Sequence, residues 1–426
     1  MRKIINLGGD GLALLAGSVV LIVRGDDLNR LEMPSITSDS DCKVLTLAAS
    51  PCGKYLLVSY SDKAVVCWNI PSNQVVATGT LAKKACGMAC GFVRGQYILC
   101  VVDKQGDIHC ANALKLDSWV LMGGHTASVI TDMQIIQEGS LLATADRDEK
   151  IRLSQFPELF HITGYCMGHT SVVSSLCEAI TPSSRRLLVS GGWEHKLCVW
   201  DVSEGKLVSS TYVSSSDEKE SKKEEKGKEE VRSVAAEKKD GGVGDDEGDG
   251  DEKTYDATAA GAFPHKVRSI QVGGQSGDYV LVAFNESPLL HVYSLSNGGK
   301  LSLKAAHRAC APVVDLASMA GGVVVLLLSG SHHVEVLNLT ASSSQSITIA
   351  SGQSSKVMAD LMAACGEQKV DYGKQQDRVL EGGAGHHMGG SAVKEKHVIK
   401  RSFHAMIRGE PGTLQKKTRE AAPRSR

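Results

Sequence analysis

Two stretches of the chain repeat one pattern at a fixed spacing. Residues 168–201 read GHTSVVSSLCEAITPSSRRLLVSGGWEHKLCVWD, and residues 124–156 read GHTASVITDMQIIQEGSLLATADRDEKIRLSQF. Each begins with Gly-His and continues with a β-rich run, a turn, a second run ending in small residues, an acidic turn and a third run. The copies are offset by 44 residues. This is the period of a four-stranded propeller blade with a Gly-His and Trp-Asp signature.

Weaker copies of the pattern extend over most of the chain. Runs that alternate apolar and polar residues, the signal of half-buried strands, occur at about 4–34, 42–80, 86–121, 265–303 and 312–340. With the two strong copies they make seven blades. The sequence therefore predicts an all-β fold, a seven-bladed WD-repeat β-propeller, whose ring closure removes exposed sheet edges.

Composition divides the chain into four parts. We expect blades 1–5 in residues 1–212 and blades 6–7 in residues 263–340, separated by an acidic insert at 213–262. Within 217–253 there are fifteen Asp/Glu and nine Lys/Arg, and so few large apolar residues that we expect disorder. Residues 341–426 form a Ser- and Gly-rich segment and then a basic tail. Such tails contact RNA, act as nuclear import signals or are simply solvated.

The N-terminus and the cysteines bear on the cellular compartment. Basic residues precede an apolar run at 11–23, as in a signal peptide. That run is too short to span a bilayer and is broken by Gly17-Ser18 where a hairpin turn would lie, so we expect two strands. None of the twelve cysteines forms a C-x-x-C pair. We therefore expect buried, reduced thiols and no metal site.

Motifs for catalysis and cofactor binding are weak. The stretch GGVGDDEGDG at 241–250 resembles a nucleotide-binding glycine loop, but it lies in the acidic insert and lacks the flanking strand and helix. The histidine pairs at 332–333 and 386–387 have no carboxylate or thiol at metal-binding spacing. The net charge is −1, so no global field attracts nucleic acid. We expect no catalytic site and no cofactor.

An acid lies six residues before each Trp-Asp position, in the turn between the second and third strands. It is Asp148 in the first strong copy and Glu194 in the second. In WD-repeat propellers this acid typically hydrogen-bonds the Gly-His histidine, which predicts the pairs His125–Asp148 and His169–Glu194. Because the arrangement recurs at the blade period, we interpret it as architecture rather than catalysis.

The turn at 146–150, DRDEK, consists entirely of charged residues. Ordinary blades place Gly and Thr at this turn, so the charges lower its turn propensity. They also contribute little folding stability, because exposed ion pairs are weak. A surface of both signs would set register and orientation on a partner. The alternative is a merely solvated turn.

The run ADRDEKIRLS, followed by GYCMGHT at 164–170, closely resembles the WD-repeat non-catalytic subunit of the eukaryotic tRNA (guanine-N7)-methyltransferase. That family carries a D-[RK]-D-E-[KH]-I-[RK]-[VI]-S signature before a C-[ML]-G-H-T segment. The pair Lys83-Lys84 before Ala-Cys, and VVDKQGDI at 101–108, also match. The resemblance covers roughly 80–205 well and the remaining blades by pattern.

The resemblance implies a heterodimer. A separate catalytic subunit would hold S-adenosylmethionine and form N7-methylguanosine in the tRNA variable loop, and this chain would bind and stabilise it. By residue, the resemblance places Arg147, Glu149, Lys150 and Arg152 at or near the partner contact.

The basic side chains of blade 3 leave a second role open. Lys83, Lys84 and Lys104 are candidates for RNA or partner contact, and tRNA would touch this chain directly or only through its partner. The expected compartment is the nucleus. The main alternative is a general WD-repeat scaffold, such as a ubiquitin-ligase substrate receptor or a chromatin adaptor.

Overall fold

The computed structural model describes residues 2–8, 11–16, 19–24, 27–31, 42–126, 128–213, 262–273, 276–329, 334–341 and 347–351. Within these ranges the chain forms twenty-eight β-strands and two short 3-10 turns, at Gln137–Gly139 and Ala320–Gly322.

The strands group, in chain order, into seven four-stranded sheets. Blades 1–3 are β1 (Arg2–Gly8), β2 (Gly11–Ala16), β3 (Val19–Arg24), β4 (Asp27–Leu31); β5 (Val44–Ala49), β6 (Tyr55–Tyr60), β7 (Ala64–Asn69), β8 (Gln74–Thr80); and β9 (Ala85–Val93), β10 (Gln96–Asp103), β11 (Asp107–Asn112), β12 (Val120–Gly124). Blades 4 and 5 are β13 (Ile130–Ile136), β14 (Leu141–Asp146), β15 (Lys150–Gln155), β16 (Ile162–Met167); and β17 (Val173–Ile180), β18 (Arg186–Gly192), β19 (Lys196–Asp201), β20 (Lys206–Tyr212). Blades 6 and 7 are β21 (Pro264–Gln271), β22 (Asp278–Phe284), β23 (Leu289–Leu295), β24 (Leu301–Arg308); and β25 (Val313–Ser318), β26 (Val323–Leu328), β27 (Val334–Ala341), β28 (Ile347–Ser351).

The hydrophobic core lies between neighbouring blades. Middle strands are apolar on both faces, and β22 is buried along its whole length. The outer strand of the same blade, β24, is far more exposed, and four of its eight residues are exposed to solvent. Between blades 4 and 5, Trp200 is fully buried among residues that include Leu153 and Cys166. The predicted seven-bladed propeller is confirmed.

The ring closes by packing between blade 7 and blade 1, whose strands belong to separate sheets. The Ile4 amide donates to Asp315 Oδ2 at 3.1 Å, and the Asn6 side chain donates to the Ser318 carbonyl at 2.5 Å. Side chains of β2, β3 and β26 share one core at this junction. The apolar run at 11–23 therefore forms strands β2 and β3, as the sequence indicates.

The structure can be compared with the predicted domain boundaries at two places, the acidic insert and the end of the propeller. Blade 5 ends with β20 and blade 6 begins with β21, while residues 214–261, most of the predicted acidic insert, lie outside the described residues. The propeller extends beyond its predicted end at 340, because the outer strand β28 pairs with residues Leu337–Ala341 of β27. The expected basic tail and both histidine pairs also lie outside the described residues, except for the part of the 341–426 segment that forms β28.

The described cysteines are free thiols. Several lie inside strands, and burial raises the pKa of the Cys67, Cys166 and Cys198 thiols to about 12. They are therefore protonated at neutral pH and pack as small apolar side chains. No helix in the described ranges is long and apolar enough to cross a membrane.

Candidate functional site: the charged upper edge of blades 3 and 4

The turns and loops of interest emerge at one edge of the propeller. Within a blade the strands alternate in direction. The turn between the second and third strands therefore lies at the same end as the loop that enters the blade. We call this end the upper edge. In blades 3 and 4 it carries the loop at 81–84, the loop residues 125–126 and 128–129, and the turns at 104–106 and 147–149.

The turn between β14 and β15 is held from below by Asp146, which is 2% exposed. Its Oδ1 accepts hydrogen bonds from the amides of Asp148 and Lys150, both at 2.9 Å. Its Oδ2 lies 2.8 Å from His125 Nδ1. Burial alone would raise the pKa of Asp146, but the hydrogen bonds from His125 and the backbone lower it below the ordinary value. The turn is therefore anchored to the loop before blade 4.

The predicted pair His125–Asp148 is wrong, because the partner of His125 is Asp146. Asp148 is exposed in the turn, and its carboxylate lies 3.9 Å from Arg147 Nε. His169 does contact Glu194, with Nδ1 2.6 Å from Oε1. The two blades therefore take the buried carboxylate from different positions of the turn.

Glycine explains the difference between the blades. Asp146 is the last residue of β14, and the corresponding last residue of β18 is Gly192. A Cβ on Gly192 would lie 2.1 Å from Glu194 Oε2 and 2.6 Å from His169 Nδ1. The longer Glu194 side chain thus folds back into space that only glycine leaves open. In blade 4 an aspartate fills that space directly.

These contacts predict different effects for two neighbouring acids. Asp146→Asn should lower the free energy of unfolding by about 1–2 kcal/mol, because a charge-assisted network to buried donors becomes neutral. Asp148→Asn should change it by less than about 0.5 kcal/mol. Since the pKa of Asp146 is depressed in the fold, its contribution is present above the ordinary carboxyl pKa and is lost as the pH falls below it. Urea unfolding at pH 7 and below pH 3 measures both effects, and equal losses for the two variants at pH 7 would contradict the assignment.

Arg147, Glu149 and Lys150 present their side chains at the upper edge. Glu149 and Lys150 are exposed, and the Arg147 side chain is 35% exposed. Glu149 has a φ of 70°, in the left-handed region, where the equivalent turn of blade 3 has Gly106. A non-glycine residue there costs about 1–2 kcal/mol. The sequence thus keeps a charged side chain at a position that favours glycine.

Arg152 is placed differently from the rest of the predicted partner set. Its guanidinium donates from Nη1 to the Gly124 carbonyl of blade 3, and Nε donates to Ser154 Oγ at 3.3 Å. The side chain is partly buried, and desolvation lowers its pKa. Ser154 occupies the position that Trp200 holds in blade 5. Arg152 therefore joins blades 3 and 4, and its predicted contact with a partner stays a prediction.

The three predicted lysines of blade 3 separate into two groups. Lys84 and Lys104 are exposed at the upper edge. Lys83 Nζ instead lies 3.1 Å from Asp103 Oδ2 and 3.2 Å from Asp107 Oδ2, with 43% of its side chain exposed. The hydrogen bond to Asp103 is the main cause that raises the pKa of Lys83. Lys83 thus anchors its loop as His125 does in blade 4.

One acidic cluster has ligand atoms at metal-binding distance. Asp103, Asp107 and His109 place one ligand atom each within 4.8 Å of one another. The Lys83 ammonium contacts both carboxylates. It already supplies the positive charge that a metal ion would bring, so we interpret the cluster as an ion-pair network.

A groove of about 330 Å³ lies between β16 and the turn after β19. Its ionisable lining side chains are Tyr165 and Glu204, and Glu204 pairs with Lys206 at 3.0 Å. The Ser203 hydroxyl in this lining donates to Asp201 Oδ1, so both polar side chains of the turn are used in local contacts and we interpret the groove as part of the turn structure. The site best supported by geometry is therefore the charged upper edge.

A comparison with protein families covers the charged turn. The model described as tRNA methyltransferase TRM82 WD40 domain matches residues 111–350, more than half of the chain and inclusive of the charged turn. The chain belongs to this family. A general WD domain, G-beta repeat, matches residues 34–69. The TRM82 WD40 family is thus the one whose signature the sequence indicated.

Three relatives are named as non-catalytic subunits of tRNA (guanine-N(7)-)-methyltransferase. They are wdr4 of Xenopus laevis (31% identical over 183 residues, 42% of this chain and 45% of the relative), wuho of Anopheles gambiae (30% over 223 residues, 49% and 56%) and trm82 of Aspergillus oryzae (36% over 106 residues, 23% and 21%). The chain spans between about a fifth and just over half of the length of these relatives. Their names agree with the expectation of a non-catalytic chain.

Two solved structures resemble the fold. A chain in the crystal structure of the mitotic checkpoint complex aligns with a TM-score of 0.54 at 13% identity, covering 83% of this chain and 89% of its own. The β-propeller domain of Cps50 (Swd1) from Myceliophteria thermophila aligns with a TM-score of 0.50 at 11% identity, covering 83% and 96%. These similarities show the fold alone.

Proposed function

We propose that this chain is the non-catalytic subunit of a tRNA (guanine-N7)-methyltransferase, and that it binds and stabilises a separate catalytic subunit that forms N7-methylguanosine in the tRNA variable loop. The observation that carries the proposal is the charged turn Arg147–Lys150, displayed on a rigid support. Family membership and the names of the relatives support it.

The geometry suits a docking surface because the turn is fixed before a partner arrives. Asp146 holds the turn backbone through two amides and the His125 ring. Binding of a partner therefore costs little conformational entropy in this chain. The mixed charges of Arg147, Glu149 and Lys150 would select a complementary surface and orient it. A ligand that binds only the folded catalytic subunit stabilises that fold by mass action.

Positive charge extends from the turn toward blade 2. Lys84 and Lys104 are exposed on the same edge. They would contact either tRNA phosphates or the partner. If the affinity of the free chain for tRNA falls steeply as the salt concentration rises, direct phosphate contacts are favoured.

The nuclear compartment is proposed from the basic residues at 393–426, which lie outside the described ranges.

Affinity purification of the tagged full chain from its own cells tests the proposal. We expect a methyltransferase subunit in roughly stoichiometric amount by mass spectrometry. Stoichiometric recovery of ubiquitin-ligase or chromatin components, with no methyltransferase, would favour the general scaffold instead.

A further inference from the structure

Three large apolar side chains lie exposed along β16, the outer strand of blade 4. Ile162 is 46% exposed, Tyr165 44% and Met167 59%. We call these three the apolar row. Among the strands whose side chains the structure describes, no other exposes three large apolar residues. Single exposed apolar residues are ordinary on protein surfaces, but clusters mark interaction sites.

The strand register joins the apolar row to the charged turn. Met167 pairs across the strands with Lys150, and Tyr165 pairs with Arg152. Directly paired residues lie on the same face of a sheet. The row therefore begins beside the last residue of the charged turn and continues away from it, on the face that carries the Arg152 guanidinium.

The end of β12 in blade 3 forms the opposite wall of this face. Arg152 crosses to β12 of blade 3, where it reaches the Gly124 carbonyl. A Cβ on Gly123 would lie 3.1 Å from Arg152 Nη2. The Arg152 guanidinium therefore packs closely against the end of β12, and this contact fixes the face from which the row projects. The register places Tyr165 and Met167 on the same face, on the blade 4 side.

Lys150 supplies the polar end of the surface. Its side chain is exposed and makes no ion pair with any residue in the described ranges. An apolar strip bordered by an unpaired cation fits a segment with an apolar face and a carboxylate beside it. Tyr and Met are enriched in interface cores, where charges are depleted.

We propose that the apolar row is a second part of the partner surface, and that it receives an apolar segment of the catalytic subunit whose flanking carboxylate pairs with Lys150. This inference rests on the proposed function. It extends the contact from the upper edge down the outer wall of blade 4.

The test measures affinity between the purified full chain and its methyltransferase subunit. Met167→Glu should weaken binding by about 30-fold, because a carboxylate replaces an apolar contact at an interface core. Tyr165→Ser provides a second, uncharged variant, with an expected loss of about 10-fold. The matched control is Leu303→Glu, since Leu303 is 49% exposed on β24, the outer strand of blade 6. It should bind as the wild type does. All variants should melt within about 2 °C of the wild type, because the replaced side chains are exposed.

The outcomes separate this inference from the proposed function. If Lys150→Glu weakens binding while Met167→Glu and Tyr165→Ser do not, the charged turn is the contact and the apolar row is not. If the wild-type chain does not bind the methyltransferase at all, the proposed function itself fails. If the free chain is a dimer by sedimentation and Met167→Glu makes it a monomer, the occupant is a second copy, which also overturns the inference.

Discussion

Arg152→Glu is expected to lower the free energy of unfolding of the free propeller by about 3–5 kcal/mol. In the wild type the guanidinium donates to the Gly124 carbonyl and to Ser154 Oγ in a partly buried space between blades 3 and 4. A glutamate would lose both hydrogen bonds and direct a carboxylate at a carbonyl oxygen. We therefore expect the lower stability to come from the broken contact between blades 3 and 4, rather than from a lost partner contact.

Thermal melting and urea unfolding of the free chain measure the effect. Arg152→Lys should give a smaller loss, because lysine keeps the charge but not the planar fork of donors. Arg147→Glu, at the more exposed neighbour, should change stability by less than about 0.5 kcal/mol. A melting temperature for Arg152→Glu equal to that of the wild type would show that the inter-blade contact carries no stability.

Charge reversal of Arg147 and Lys150 together is expected to weaken the complex with the methyltransferase by about 30- to 1,000-fold. Two cations that faced acids of the partner would then face like charge. The fold should be unaffected, because Arg147 is only partly buried and Lys150 is exposed. Most of the loss should depend on ionic strength, since exposed charges are screened by salt.

Isothermal titration or interferometry with the purified catalytic subunit measures this loss. The control is the double reversal of Lys54 and Lys300, which are also exposed but lie away from the upper edge of blades 3 and 4. Equal affinities for the test and control variants would place the partner elsewhere on the propeller.

The fold could be predicted from the sequence because its unit is local. A blade is one antiparallel meander whose strands alternate and whose turns are short, so the 44-residue offset between Gly124 and Gly168 reports it directly. The sequence predicts that the propeller ends at 340 and so misses β28, because residues 342–346 give no strand signal and the strand itself, ITIAS, is short.

The site is less predictable from the sequence, because it depends on the directions and contacts of individual side chains. The spacing of six residues before the Trp-Asp position predicts Asp148 as the partner of His125, whereas the buried carboxylate in blade 4 belongs to Asp146. Spacing cannot distinguish an aspartate on the strand from a longer glutamate that folds back over Gly192. The sequence likewise shows Arg152 as a charge next to a charged turn, but not its contact with a carbonyl of the preceding blade.

The apolar row could have been noticed in the alternation of Tyr165 and Met167 around the buried Cys166. Alternation predicts that one face of a strand is exposed. It does not predict that the exposed face is the apolar one, because this depends on which strand is outermost and which face meets the neighbouring blade.

The rate of methyl transfer to tRNA guanosine by the purified catalytic subunit, measured with and without this chain, tests directly whether the chain is an accessory subunit. We expect the wild-type chain to raise the rate and the Arg147/Lys150 double reversal to fail to do so at the same concentration. The Lys54/Lys300 control should behave as the wild type does. The same rate with and without the wild-type chain would contradict a role as the accessory subunit.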